Sequence, residues 1–347
     1  MKIELNKNKV YFNNGSLKKE IHPFWLRERV DGEEFLDKGT QQRLFDPTSL
    51  DSEILINRAY INDEFLEIDF NDGVNSKLNI NKLALEFSNE DIIIKSIPKT
   101  KWDSTLKNIK NYEYQDNFFE SKEMHDLLVS FYKYGFVIIK NIPTNNNFIV
   151  KFANSIGSVR KTNFGEYFDV KSKPNPNDLA YTSLNLSPHT DNPYRNPVPC
   201  IQLLHCIENE VSGGLSTLVD GFTVTEDLKN ENLKFYKILC DVKVRFRFID
   251  KEVVLEDWSE LIKLNDDKTF KQVRFSPRMD YVPILDKEKL DLYYKARKKL
   301  SEMYNSKKYK IEFKLVSKDL MMIDNYRLLH GRTAYKTKEG NRFLQGC

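Results

Sequence analysis

Hydrophobic positions over the first hundred residues fall in short alternating runs, each closed by turn residues. Lys9-Val10-Tyr11-Phe12 precedes Asn13-Asn14-Gly15, and Phe65-Leu66-Glu67-Ile68-Asp69-Phe70 precedes Asn71-Asp72-Gly73, as strands that end in tight turns do. The pattern predicts a small β-rich domain over residues 1–98. From 99 to 117 the chain is polar, follows Pro98 and holds neither a helical nor a strand period, which is how a linker reads. Next, Met124, Leu127, Leu128 and Phe131 recur at helical spacing, Gly135 closes the run, and Phe136 to Ile139 reads as a strand. Further strands are predicted at 200–206, 216–219, 241–248, 309–315 and 320–323, with a helix at 287–304. Many strands and few helices point to a mostly β second domain over 118–347, a sandwich or jelly roll with flanking helices.

Composition narrows the function classes. Lys and Arg exceed Asp and Glu by 54 to 51, and the basic residues are interspersed with acids, so there is no electrostatic footprint for nucleic acid. No apolar stretch approaches the length of a membrane span, and MKIELNKNKVYF has no apolar core of a signal peptide. The expected location is therefore the cytoplasm. Cys200, Cys206, Cys240 and Cys347 form no C-x-x-C pair, which points to reduced thiols and not to a disulfide framework or a zinc knuckle.

Candidate chemistry centres on five histidines, His22, His125, His189, His205 and His330. His189 and Asp191 are two apart, and in an extended segment such residues point to one side, where an imidazole and a carboxylate can grip one ion. His205 sits inside an apolar strand, as a core histidine does, and His125 lies on a helix among acids. His330, at the end of an apolar strand pattern before Gly331-Arg332, is the best remaining third ligand. Two histidines and one carboxylate would leave half of an iron(II) coordination sphere open. Arg342 lies twelve residues on, beyond a turn at 337–341, and the chain is expected to return antiparallel beside the His330 segment. Its guanidinium would then face the pocket, where it suits bidentate capture of a carboxylate. The competing reading of Arg342 is a surface arginine.

Together with their surroundings these residues resemble the γ-butyrobetaine and trimethyllysine dioxygenase branch of the taurine-dioxygenase superfamily. The likeness rests on Leu179-Ala180-Tyr181-Thr182, His189-Thr190-Asp191, Gln202-Leu203-Leu204-His205-Cys206, Gly213-Gly214 with Ser216, Val219-Asp220-Gly221-Phe222, the run Asp324 to Arg332, and Arg342 with Leu344-Gln345-Gly346. It covers most of the second domain and, more loosely, Trp25 to Arg29 of the first. It implies a double-stranded β-helix, a homodimer, and iron(II), 2-oxoglutarate and O₂ as cofactor and co-substrates. His189, Asp191 and His330 match the metal ligands, Arg342 the arginine that holds the distal carboxylate of 2-oxoglutarate, and Ser216 a hydroxyl residue near it. Two departures stand out. Residues 30–35 contain no cysteine, so no structural zinc is expected. The chain also stops at Cys347, where relatives usually continue, implying a shortened last strand or a truncated chain.

The resemblance further implies hydroxylation of a small quaternary-ammonium substrate, whose cation is best met by ring faces. Tyr181 matches a cage tyrosine, and Phe164 and Phe168 fall where relatives carry a tyrosine and a tryptophan. Asp178 would supply a countercharge, although core packing explains such aromatics equally well. At the anionic end, Tyr194, Arg195, Arg274 and Arg278 are the candidates. Both γ-butyrobetaine and 2-trimethylaminoethylphosphonate stay open as substrates. A metal-dependent hydrolase and a betaine-binding protein are readings of other classes, and Arg342 separates the hydrolase from the oxygenase, since a hydrolase needs no keto-diacid anchor.

Overall fold

The computed structural model describes residues 2–15, 17–87, 97–107, 109–145, 147–172 and 181–347. The chain divides into two compact units, Met1–Ser96 and Ile97–Cys347. The first holds two three-stranded antiparallel sheets: β1 (Lys2–Asn6), β2 (Lys9–Asn13) and β3 (Lys18–Glu20), and β4 (Ile56–Asn62), β5 (Phe65–Phe70) and β6 (Asn75–Asn79). Their alternation buries Val10, Phe12, Leu66, Ile68 and Phe70 in one core with Leu26. Gly73, at φ +86°, makes the turn from β5 to β6 that Asn71-Asp72-Gly73 announces.

The second unit is built on a six-stranded and a four-stranded sheet. The larger runs in the order β7 (Asn111–Glu113), β8 (Phe136–Lys140), β19 (Leu320–Asp324), β11 (Ile201–Asn209), β21 (Arg342–Gly346) and β9 (Phe168–Lys171). The smaller runs β10 (Leu186–His189), β20 (Leu328–Arg332), β12 (Ser216–Asp220) and β18 (Lys310–Phe313). Strands β13 (Lys243–Ile249), β14 (Val254–Glu260) and β17 (Asp280–Tyr281) form a side sheet, and β15 (Ile262–Leu264) with β16 (Phe270–Val273) a hairpin. Inner-face residues of both main sheets, among them Ile138, Cys206, Leu218, Met321, Leu328 and Leu344, share one core. The outer face of the larger sheet, carrying Val137, Ile139 and Leu203, packs against the helices Lys122–Tyr134 and Phe148–Asn154. The first of these is capped by the Ser121 side chain, which accepts from Met124 N, and ends at Gly135 in the left-handed region.

Three differences from the sequence expectations stand out. Residues 99–117 are not a free linker: Trp102 is 5% exposed, its indole donates to Tyr134 O, and β7 pairs parallel to β8. A tryptophan and one three-residue strand are too sparse to set up a period. Two helices, Gly221–Glu231 and Leu233–Asp241, stand where no helix was predicted. Third, β21 does not lie beside β20; it pairs with β11 and β9 in the other sheet. Both edges of β20 are already filled by β10 and β12.

Candidate metal centre

Among the described residues, one group of His, Cys, Asp and Glu side chains brings three donor atoms within 4.8 Å of one another: His189, Asp191 and His330. The two histidines are cross-strand partners in the β10–β20 register, their rings 4.5 Å apart at 41°. His330 is also opposite Leu218, a residue of the inter-sheet core, so both side chains face inward. Pro188 is accommodated because β10 is the edge strand of its sheet. Gly331 lets the strands close up, since a Cβ there would lie 2.4 Å from Leu186 O.

Asp191 sits just past β10, its carboxylate between the rings: Oδ1 is 3.3 Å from His189 Nε2 and Oδ2 3.4 Å from His330 Nε2. Its segment is pinned from three sides. Thr190 exchanges two hydrogen bonds with the main chain of Phe275, both 2.9 Å. The Asn325 side chain accepts from Asp191 N at 2.9 Å and donates to Asp191 O at 3.0 Å. Gln202 Nε2 donates to Asp191 Oδ2 at 2.7 Å. His189 Nδ1 lies 2.9 Å from Ser187 O; a carbonyl can only accept, so Nδ1 carries a proton and Nε2 is the nitrogen turned toward Asp191. Burial works against ionisation of Asp191, but His330 and His189 outweigh it and hold the carboxyl well below its usual value. Burial in turn lowers His330 against the opposing pull of Asp191, which favours the neutral imidazole, the form that ligates metal.

Arg342 opens β21 and shares the inward parity of Leu344. It is 7% exposed, its Nε donates to Gly214 O at 3.2 Å, and its guanidinium lies 5.6 Å from the Tyr335 ring. Arg332, two residues beyond His330 on the same face of β20, stacks on that ring at 5.2 Å and donates to the carbonyls of Thr182 and Leu184. Burial first, and the Arg332 charge second, push Arg342 down to about 10. Among the described residues no carboxylate pairs with Arg342, so the fold buries a cation that an incoming anion would neutralise. Ser216, buried and opposite Arg332, begins β12 in the same region. Two imidazoles and a carboxylate are a donor set suited to iron(II), and the buried guanidinium suits a dicarboxylate; the residues present therefore fit both groups.

A cavity of about 400 Å³ runs from Asp191 and Gln202 past Phe164 and Phe168, placing both phenylalanines on the wall that leads to the centre. Phe164 also packs on Phe248 at 5.5 Å. Tyr181 is half-buried in the segment whose Thr182 carbonyl meets Arg332. Asp178, like Leu179 and Ala180, lies outside the described residues. Tyr194 is not brought to the cavity: it is 4% exposed, stacked on Phe248 and hydrogen-bonded to Asn192. Arg274 is also withdrawn, its guanidinium spent at 2% exposure on Asp257 and Pro193 O. Half-buried Arg195 donates to Asn163 and Asn192, and Arg160 on the cavity wall bears on its charge. Arg278 is exposed, yet its charge acts on His330. Gln202 and Asn325 had no role in the sequence reading; only their place inside quoted motifs hinted at one.

The family model for taurine catabolism dioxygenase TauD, TfdA family matches residues 105–347. The chain belongs to this family. It is 27% identical over 332 residues to the γ-butyrobetaine dioxygenase of Pseudomonas sp. (strain AK-1), covering 94% of this chain and 86% of that protein. The human γ-butyrobetaine dioxygenase is 30% identical over 261 residues, 71% of this chain and 65% of its own length. The human mitochondrial trimethyllysine dioxygenase is 27% identical over 341 residues, 93% of this chain and 78% of its own. Among solved structures, asparagine oxygenase superposes with a TM-score of 0.54 at 13% identity, over 69% of this chain and 92% of that one. The non-haem iron oxygenase OrfP, in complex with iron and α-ketoglutaric acid, gives 0.52 at 14%, over 69% and 93%. At such identities these two likenesses establish the fold alone.

Proposed function

We propose that this chain hydroxylates a small trimethylammonium substrate of the γ-butyrobetaine kind, using iron(II), 2-oxoglutarate and O₂. The chain is a dioxygenase of the iron(II)/2-oxoglutarate class. The observation that carries the reading is the convergence of His189, Asp191 and His330, with Asp191 on the wall of a cavity that Phe164 and Phe168 also line. In this reading the six- and four-stranded sheets are the two halves of a double-stranded β-helix, and residues 1–98 are a separate β domain.

Iron with 2-oxoglutarate supplies an oxidant able to replace a C–H bond by C–OH, coupled to decarboxylation of the keto acid to succinate. The side chains have the remaining tasks. His189, Asp191 and His330 would hold the metal on one face, and Arg342, with Ser216 near it, would take the far carboxylate of 2-oxoglutarate. Phe164, Phe168 and Tyr181 would present ring faces to the trimethylammonium group, which has no proton to donate. Asp178 is the proposed countercharge. The apolar part of the wall would limit water at the reacting carbon.

One observation favours a second substrate, 2-trimethylaminoethylphosphonate. The Arg160 charge bears on Arg195 near the cavity, and among the described residues the hydrogen bonds of both go to neutral acceptors, Pro197 O, Asn163 and Asn192. Such a pair suits a dianion better than a monoanion. Anaerobic addition of iron(II) and 2-oxoglutarate is expected to give a visible charge-transfer band, and folded protein without the band overturns the oxygenase reading. Succinate release across carboxylate and phosphonate betaines then names the substrate. Binding of a betaine without succinate release would favour a binding protein instead.

A further inference from the structure

We propose that Gln202 is a positioning residue of the metal centre, holding one oxygen of Asp191 so that only the other meets the metal. The inference rests on reading His189, Asp191 and His330 as the ligands. Gln202 lies on the inner face of β11, 7% exposed, and borders the cavity together with Asp191. Asn325 clamps the Asp191 main chain, but the terminal torsion of an aspartate is broad and nearly two-fold, so a fixed backbone still lets the carboxylate turn. The 2.7 Å bond from Gln202 Nε2 to Oδ2 removes that freedom. The reverse orientation of the amide would set Oε1 against a carboxylate oxygen, so electrostatics select the donor orientation. Oε1 itself is buried without a hydrogen-bond partner among the described residues, and a buried polar atom left so is retained where the other end of its side chain has a task.

The consequence is the number of positions left open on the metal. An amide N–H on Oδ2 competes with a cation for the same lone pairs and leaves Oδ1, 3.3 Å from His189 Nε2, as the ligand atom. A carboxylate bound through one oxygen keeps three positions of an octahedral ion open, enough for a chelating keto acid and O₂; chelation through both oxygens would take one of them. Gln202 therefore guards the third open position without touching substrate.

Cobalt(II) in place of iron tests this without turnover. Its dissociation constant and ligand-field spectrum are measured in the unaltered protein, in Gln202→Met, which keeps length and volume but has no donor, and in Gln202→Asn, whose amide is too short to reach Oδ2. Both variants are expected to bind cobalt about 10–100-fold more weakly, with an altered visible band as a second oxygen of Asp191 replaces one of the three exchangeable ligands. Wild-type affinity and spectrum in either folded variant overturn the inference and leave the centre intact. Failure of the unaltered protein to bind cobalt overturns the centre itself. A crystal structure of the metal-loaded, unaltered protein decides independently of whether the variants fold: Asp191 bound through one oxygen, with Gln202 on the other, supports the inference, and Asp191 bound through both overturns it.

Discussion

Arg342 is a cation the fold buries in advance of any anion, and that advance burial is what makes it a strong anchor. Its water is already gone, so an arriving carboxylate regains charge-assisted hydrogen bonds at little further desolvation cost. Arg342→Ala is expected to raise the 2-oxoglutarate requirement by about two orders of magnitude or more while cobalt binding stays at the wild-type level. Titration of the charge-transfer band at saturating iron measures it, and an unchanged requirement removes Arg342 from the site. On the opposite face of β11, His205 is fully buried, and burial pulls its pKa to about 4 against the weaker influence of the Ile142 backbone and Asp319. The unfolded chain titrates this group near its ordinary value, so between the two values the unfolded state binds more protons. Stability is full above about pH 6.5 and falls as pH drops toward 4, by on the order of 3 kcal/mol. His205→Leu should flatten that part of the urea-midpoint profile; a variant with the wild-type slope would exonerate His205.

At the scale of elements, the centre depends on β10 and β20 pairing with no room for a side chain at position 331. A Cβ at that position would meet Leu186 O at 2.4 Å and Thr217 Oγ1 at 2.8 Å, atoms of the strands on either side. Gly331→Ala must therefore push at least one strand away, costing about 1–3 kcal/mol and spreading the His189–His330 pair. Lowered thermal stability together with weakened cobalt binding is expected, and a variant that binds cobalt normally would mean the strands can yield without moving the ligands. Strand geometry also explains what was legible beforehand. Strands such as β11, β12 and β19 carry long buried runs, so their existence could be read from hydrophobic spacing. His189 and Asp191 could be paired because extended geometry puts residues i and i+2 on one side. The placement of β21 was misread because a sequence shows that a strand returns, not which edge remains free. Asn325 and Gln202 escaped assignment because an amide in a strand carries no period that marks it as a clamp.

At the scale of the catalytic unit, the segment read as a linker is held by a buried ion pair joining four distant parts of the chain. Arg327, 1% exposed, binds both oxygens of Asp220, 0% exposed, at 2.9 and 2.8 Å, and also the carbonyls of Lys133 and Thr100. Asp220 additionally accepts from Trp102 N and caps the helix Gly221–Glu231. The residues tied together are more than a hundred positions apart, and for that reason no local pattern announced the arrangement. Removing one partner strands the other as a buried charge, which costs about 3–5 kcal/mol, whereas removing both charges costs much less than the sum. Arg327→Met alone is thus expected to unfold at markedly lower urea. The Asp220→Asn change keeps a capping oxygen for Phe222 N, so adding it to Arg327→Met should restore at least ~1 kcal/mol of the loss. Strictly additive losses in this double-mutant cycle would mean that Arg327 acts through its carbonyl contacts, and the anchoring of residues 97–107 would then be a matter of neutral hydrogen bonds rather than of the pair.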